Sequence, residues 1–294
     1  MSSIHTALLG DRAVLTVAGA DARTFLQGLL TADVDKISAT DAAFGGLLTP
    51  QGKILFDFFL SEGAGGALLI DTAHSLAADL AKRLGFYRLR AKVTVEIASG
   101  VAVAAAWGAA PAPASGLTLY RDPRTQELGW RLIGVPDALA AAALAQGWQQ
   151  CDAAGYHAHR IATGVPDCGR DYLTAALFPH EALFDRHHGV DFKKGCYVGQ
   201  EVVSRMEHRG TARSRFLTVT GSTELPERGS EVSAGGTPLG TLGSHQGALG
   251  LALLRIDRLQ QALAAGHQPV TAGVSLTIDA GQLARLAVIK VAAP

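Results

Sequence analysis

The sequence predicts an α+β protein that ends in a small β-barrel. Three observations carry this. In the first half, strand-like apolar runs alternate irregularly with amphipathic helical ones, and tight hairpin turns occur as well as crossovers. In the last stretch, strand-like runs are surrounded by glycine-rich turns at Gly235-Gly236, Gly240 and Gly243. A length of 294 residues suits roughly two domains at ~150 residues each. The division falls near Thr211: residues 1–210 form the α+β region, with two subdomains, and residues 211–294 the barrel domain.

The elements follow in order. Ala13-Val14-Leu15-Thr16-Val17 is a β-rich run closed by Gly19, and Asp21 is placed to cap the helix after it. That helix gathers Phe25, Leu26, Leu29 and Leu30 on one face, a core stripe. Leu47-Leu48 runs into Thr49-Pro50-Gln51-Gly52, the chemistry of a tight turn, and Ile54 to Leu60 returns as a nearly all-apolar strand. Asp57 interrupts it, and an acid in such a strand needs a partner or a purpose. Leu68-Leu69-Ile70 is a strand, and Ser75 to Leu84 a helix with leucines at 76, 80 and 84. Lys92 to Ile97 alternates as a half-buried strand, and Val101 to Trp107 is another. Pro111 to Gly116 is a loop; Trp130 to Val135 and Asp137 to Gln146 are a strand and a helix. Strands at Phe216 to Thr220, Leu249 to Leu254 and Leu286 to Val291 belong to the barrel.

Composition excludes several classes. Hydrophobic residues make up 48%, which rules out a disordered chain. Lys+Arg and Asp+Glu are both 26, so the chain as a whole carries no electrostatic footprint for nucleic acid or an anionic membrane, although a local basic patch is still open to it. Neither nucleic acid nor membrane is expected as a partner. Cys151, Cys168 and Cys196 form no Cys-x-x-Cys pair and suit a reducing compartment. No basic, apolar leader opens the chain, so the cytoplasm is expected, or the mitochondrial matrix if a transit segment has been removed. No Walker loop, Gly-x-Gly-x-x-Gly turn or Gly-x-Ser-x-Gly elbow is found.

Chemistry concentrates between Tyr156 and Gly210, which holds His157, His159, His180, His187, His188 and His208 out of 10 histidines. Their spacings match no strong zinc pattern, so no metal site is expected. The centre reads Lys193-Lys194-Gly195-Cys196-Tyr197-Val198-Gly199-Gln200-Glu201. Lysines beside a cysteine favour its thiolate, and Gly195 allows close backbone approach. Gly199 supplies an unusual dihedral before a helix from about Gln200 to Glu207, whose first amides suit a polar ligand group. The same residues also read as a buried small cysteine, turn glycines, a core Tyr197 and a charged helix start. The basic residues Arg205, Arg209, Arg213 and Arg215 read either as phosphate contacts or as a solvated face.

The string from Lys194 to Glu201 resembles the signature of the YgfZ-type folate-binding proteins. Phe25-Leu26-Gln27-Gly28, Thr31-Ala32-Asp33-Val34, Leu48 to Lys53, Gly164-Val165-Pro166, Pro179-His180-Glu181 and Arg209-Gly210 fit the same family. The family is similar to the T-protein of the glycine cleavage system, a folate-dependent aminomethyltransferase. The resemblance implies α+β domains around a central folate pocket, a C-terminal barrel, and binding of tetrahydrofolate or a derivative. It also implies a role in assembly or repair of iron–sulfur clusters in client enzymes, tRNA-modifying ones among them. It marks Lys194, Gly195, Tyr197, Gly199, Gln200, Glu201 and Arg205 as ligand-binding positions, and Cys196 as the residue nearest folate chemistry or a cluster. Two folate-contacting aromatic positions fall at Tyr156 and Arg12. In T-protein an aspartate in the hairpin region corresponding to Gln51 to Asp57 assists the one-carbon chemistry, and Asp57 is the acid that this stretch offers. Three functions stay open: a folate-binding cluster factor, a folate-dependent one-carbon transferase, and an interaction module in which the signature only stabilises a junction.

Overall fold

The computed structural model describes residues 4–210 and 212–286. Its first two strands enter different sheets: β1 (Ile4–Leu8) belongs to one, β2 (Arg12–Ala18) to the other. The second sheet is completed by β3 (Ala43–Leu48), β4 (Ile54–Glu62), β5 (Leu68–Ala73) and β6 (Thr94–Ile97), with α1 (Ala22–Gln27) before β3 and α2 (His74–Arg88) before β6. The chain then returns to the first sheet with β7 (Ala102–Gly108), β8 (Thr118–Arg121), β9 (Trp130–Gly134), α3 (Pro136–Ala145) and β10 (Gln149–Cys151). Strand orders are β10-β1-β7-β9-β8 and β3-β4-β5-β2-β6, antiparallel except for β1 beside β10. After α4 (Ala153–Ala162) and α5 (Gln200–Arg209) come β11 (Ser214–Gly221), β12 (Glu231–Ala234), β13 (Thr237–Gln246), β14 (Leu249–Arg255), α6 (Ile256–Ala264), β15 (Val270–Thr271), β16 (Val274–Ile278) and α7 (Ala280–Leu286). The barrel closes in the order β11-β14-β13-β12-β15-β16.

β4 shows why its sequence is almost wholly apolar. Phe58 and Leu60 face one core, against Ala77, Leu80 and Leu84 of α2. Phe59 faces a second core, with Phe44 and Phe184. A strand covered on both faces loses the polar alternation of a half-exposed one. The second core also takes in Val103 and Ala105 of β7, Tyr197, and Phe216 and Leu251 of the barrel. The boundary near Thr211 therefore separates hydrogen-bonded sheets, yet one apolar core crosses it.

Several expectations need correction. Asp21 precedes α1 but caps nothing with its side chain; its carboxylate accepts from the Lys92 backbone N at 2.7 Å. The helix expected at Ser75 to Leu84 runs through Gly85 to Arg88, because Tyr87 still finds the core. The strand at Lys92 to Ile97 is an edge, and Thr94, Glu96 and Ile97 are exposed on it. Among the described residues the last barrel strand is β16 and Leu286 belongs to α7; the rest of the strand expected at Leu286 to Val291 falls within residues 287–294, which, like Thr211, lie outside the described residues. Helix α4 escaped the sequence reading because two of the four residues it buries, His157 and Arg160, are polar and break the apolar stripe of Tyr156 and Ile161.

Candidate functional site

The signature segment is a loop fixed at both ends. At its start, Asp191 Oδ1 accepts from the Lys193 and Lys194 backbone N at 2.8 and 3.2 Å, a local turn. The Lys194 side chain then turns inward, and its Nζ donates to the carbonyls of Gln27 (2.8 Å), Leu30 (2.6 Å) and Ala32 (2.7 Å). Helix ends leave carbonyls without partners, and this ammonium supplies them just past α1. At the other end Gly199 adopts φ +80°, in the left-handed region, and leads into α5. Tyr197 is buried between these anchors, beneath the Lys194 ammonium at 5.5 Å. Cys196 is carried outward with Gly195, Phe192 and Lys193, all exposed, whereas Cys151 is half-buried and Cys168 buried. Glu201 and Arg205 pair on the outer face of α5 at 2.6 Å. Gln200 opens that helix, half-buried, with its backbone N donating to the Tyr197 carbonyl at 3.3 Å.

Arg12 and Tyr156 lie elsewhere, in a buried ionic lattice at the junction of the sheets, α4 and the barrel. Asp71 on β5 accepts from Arg12 Nε at 2.7 Å and from Arg131 on β9. Asp122 meets Arg124 at 2.9 Å and Arg131 at 3.4 Å. Asp167 meets Arg124 at 3.1 Å and Arg160 at 3.5 Å. Asp171 meets Arg160 at 2.8 Å and accepts from Ser244 Oγ of β13 at 2.6 Å. The Tyr156 hydroxyl accepts from Arg124 at 3.1 Å and Arg131 at 3.2 Å. Guanidiniums also lie over the Phe59 ring, Arg131 at 3.8 Å and Arg124 at 4.6 Å. Burial alone would push Asp167 toward neutrality, but Arg160 and Arg124 outweigh it and hold its carboxyl well below the usual range. Of this lattice the sequence reading singled out only Arg12 and Tyr156. The signal for the rest was present: Asp71 and Arg131 interrupt apolar strands just as Asp57 does.

Asp57 has the partner its setting demanded. Its Oδ2 accepts from the Tyr172 hydroxyl at 2.8 Å and the Cys168 backbone N at 3.0 Å. Burial, and then the charge of Asp167, raise its pKa. Burial also raises the Cys168 thiol, with Asp57 and Asp167 adding to it, so this cysteine is a poor nucleophile.

A bound pterin needs an open aromatic face or an apolar slot. Tyr156 is 1% exposed, tilted against Trp107 and His157, with its hydroxyl already engaged. The Arg12 guanidinium is held by Asp71, and the Lys194 ammonium by three carbonyls. A cleft of about 300 Å³ adjoins Arg12, lined also by Asp11, Cys168, Arg170 and Arg228, with Arg170 held by Asp11 at 2.6 Å. The residues marked by the resemblance thus divide between a surface loop and a closed ionic core, and they do not fit a stacked pterin. Among the described residues no group of His, Cys, Asp or Glu gathers as a metal site, and no helix is long and apolar enough to cross a membrane.

Comparison with known proteins follows the same lines. Residues 213–275 match the model of the CAF17 C-terminal beta-barrel domain. The human mitochondrial iron–sulfur cluster assembly factor IBA57 is 34% identical over 281 residues, covering 86% of this chain and 78% of that protein. The mouse protein is 34% identical over 282 residues with the same coverage, and the homologue from Mycosarcoma maydis 32% over 236 residues, 74% of this chain and 58% of its own length. Among solved structures, the aminomethyltransferase T of the Bartonella henselae glycine cleavage system superposes with a TM-score of 0.74 over 96% of this chain and 86% of that one. At 15% identity it shares the fold.

Proposed function

Because the chain belongs to the family of the iron–sulfur cluster assembly factors IBA57, we propose that it works in assembly or repair of iron–sulfur clusters, offering the Cys196 thiolate to a cluster carried by an assembly or client protein. The observation that carries this is the placement of Cys196: the one exposed cysteine, on a loop held rigid by Lys194 and Gly199. Clusters generally take about four protein ligands, so a single thiolate acts only with ligands from a partner. Clients in this reading include tRNA-modifying enzymes. The relatives are mitochondrial by name; cytoplasm and matrix both keep thiols reduced, as the reading requires.

The test is complementation of a strain lacking its own factor, scored by the activity of an iron–sulfur tRNA-modifying enzyme. Cys196→Ser abolishes rescue while the variant folds normally, and Cys151→Ser rescues fully. Full rescue by Cys196→Ser overturns the reading. Tetrahydrofolate enters through a separate measurement. The engaged ring and hydroxyl of Tyr156 support an assembly role that proceeds without a pterin stacked there. Anaerobic calorimetry with tetrahydrofolate then gives no saturable heat; one-site binding would return the folate to the mechanism.

A further inference from the structure

The neutral overall charge hides one strongly polarised corner. Between Lys82 and Lys92, where α2 ends and the chain turns toward β6, stand Lys82, Arg83, Arg88, Arg90 and Lys92, all exposed. None of these five side chains makes a hydrogen bond or ion pair among the described residues. No acid occurs within the stretch. The nearest are Asp79 one turn back on α2, Glu96 on β6, and Asp21, whose carboxylate accepts from the Lys92 backbone. A cation in the last turn of a helix is favoured by the helix dipole, which accounts for Arg88 and for no other.

Two large apolar side chains project from the same corner. Phe86 is 66% exposed and Leu89 89% exposed. Leu89 is held at φ +42°, a conformation that disfavours a side chain and that a buried contact normally justifies. Here no contact does. On α2 the buried face is Ala77, Leu80 and Leu84. Lys82 and Phe86 share the opposite face at i,i+4 spacing, Arg83 flanks it, and Leu89 and Arg90 follow at the helix end.

We infer that this corner is a docking surface for an anionic phospholipid bilayer, with Phe86 and Leu89 entering the headgroup region and the five cations meeting lipid phosphates. The arrangement of apolar tip and surrounding unpaired cations carries the inference. A protruding corner needs no shape-matched partner to insert into an interface, and basic residues near it add attraction one by one. A nucleic acid would use the cations but leave the exposed Leu89 without a role. A protein partner of ordinary interface size would need about 800 Å² of complementary surface on each side, more than one helix end and turn present. The surface is separate from the cluster-assembly reading and stands without it.

Co-sedimentation of the full chain with vesicles tests this, comparing phosphatidylcholine alone with phosphatidylcholine containing about a third phosphatidylglycerol. The chain sediments with the anionic vesicles only, and salt releases it. Arg83→Glu with Arg90→Glu, and separately Phe86→Ser with Leu89→Ser, each weaken partitioning about tenfold or more. All four positions are exposed, so thermal melts of the variants match the parent. Equal binding to neutral vesicles, no binding to either, or undiminished binding by both variants overturns the inference. So does tighter binding of a single-stranded oligonucleotide that the Phe86→Ser and Leu89→Ser changes leave intact, which would make the corner a plain polyanion site.

Discussion

Gly199 and Gly52 meet backbone to backbone. A Cβ on Gly199 would stand 2.6 Å from the Thr49 carbonyl oxygen and 3.0 Å from Gly52 Cα; one on Gly52 would stand 3.2 Å from the Gly199 carbonyl oxygen. Both glycines have positive φ, +80° and +81°. The turn between β3 and β4 and the end of the signature loop therefore fix each other, and the outward aim of Cys196 depends on it. Gly199→Ala adds backbone strain and a clash against main chain, at a cost of about 2 to 4 kcal/mol. Chemical denaturation measures this, and the same variant loses rescue in the complementation assay. A stability equal to the parent's would separate the loop from the hairpin.

Lys194 is a structural lysine by its contacts. Lys194→Met keeps the length of the side chain and strands the carbonyls of Gln27, Leu30 and Ala32. Hydrogen bonds to a charged group contribute about 1.5 to 3 kcal/mol, and orphaned buried acceptors cost more on top. A loss of about 3 kcal/mol is expected in urea unfolding. Unchanged stability with weakened ligand binding would return Lys194 to a ligand-facing role.

The ionic lattice makes a sharper prediction. Asp71 is the shared counter-charge of Arg12 and Arg131 and has no exposure. Asp71→Asn leaves the buried Arg12 guanidinium without its carboxylate and Arg131 with Asp122 alone, and breaking such a buried pair costs about 3 to 5 kcal/mol. The variant is expected to express poorly or melt far below the parent, whereas Glu201→Gln, in an exposed pair, changes the melt by less than about 1 kcal/mol.

His187 gives a pH dependence with a definite sign. Its Nδ1 pairs with the Arg124 carbonyl at 3.2 Å, and its Nε2 is buried without a partner. Burial lowers its pKa to about 4. Between that value and its ordinary pKa near 6.5 the unfolded chain binds more protons than the folded one, so stability rises with pH across the window. The contribution is complete above about pH 6.5, falls as pH drops, and levels off below about pH 4, a change of about 3 kcal/mol over the whole window. Unfolding free energies measured across pH 4 to 7 should show the parent losing stability relative to His187→Gln as pH falls; a pH-independent difference between the two would remove His187 from the titration.

The sequence by itself determined the strand of Ile54 to Leu60, the turn at Thr49 to Gly52, the helices near Ser75 and Asp137, and the barrel's place at the C-terminus, because periodicity and turn chemistry are local. It also marked Cys196 by its neighbours. Tertiary structure decided what those neighbours do. Lys194 and Cys196 are two residues apart, yet one side chain turns in to the carbonyls beyond α1 and the other turns out to solvent, and no local pattern encodes that choice. The fate of Tyr156 was equally non-local. Its ring is aromatic in sequence, but arginines from β9 and the turn before it, brought by the fold, close over its hydroxyl. Charge pairing between Asp71 and Arg131, on strands of different sheets and far apart in the chain, exists only where the two sheets meet, and a buried guanidinium is tolerated only with its carboxylate in place.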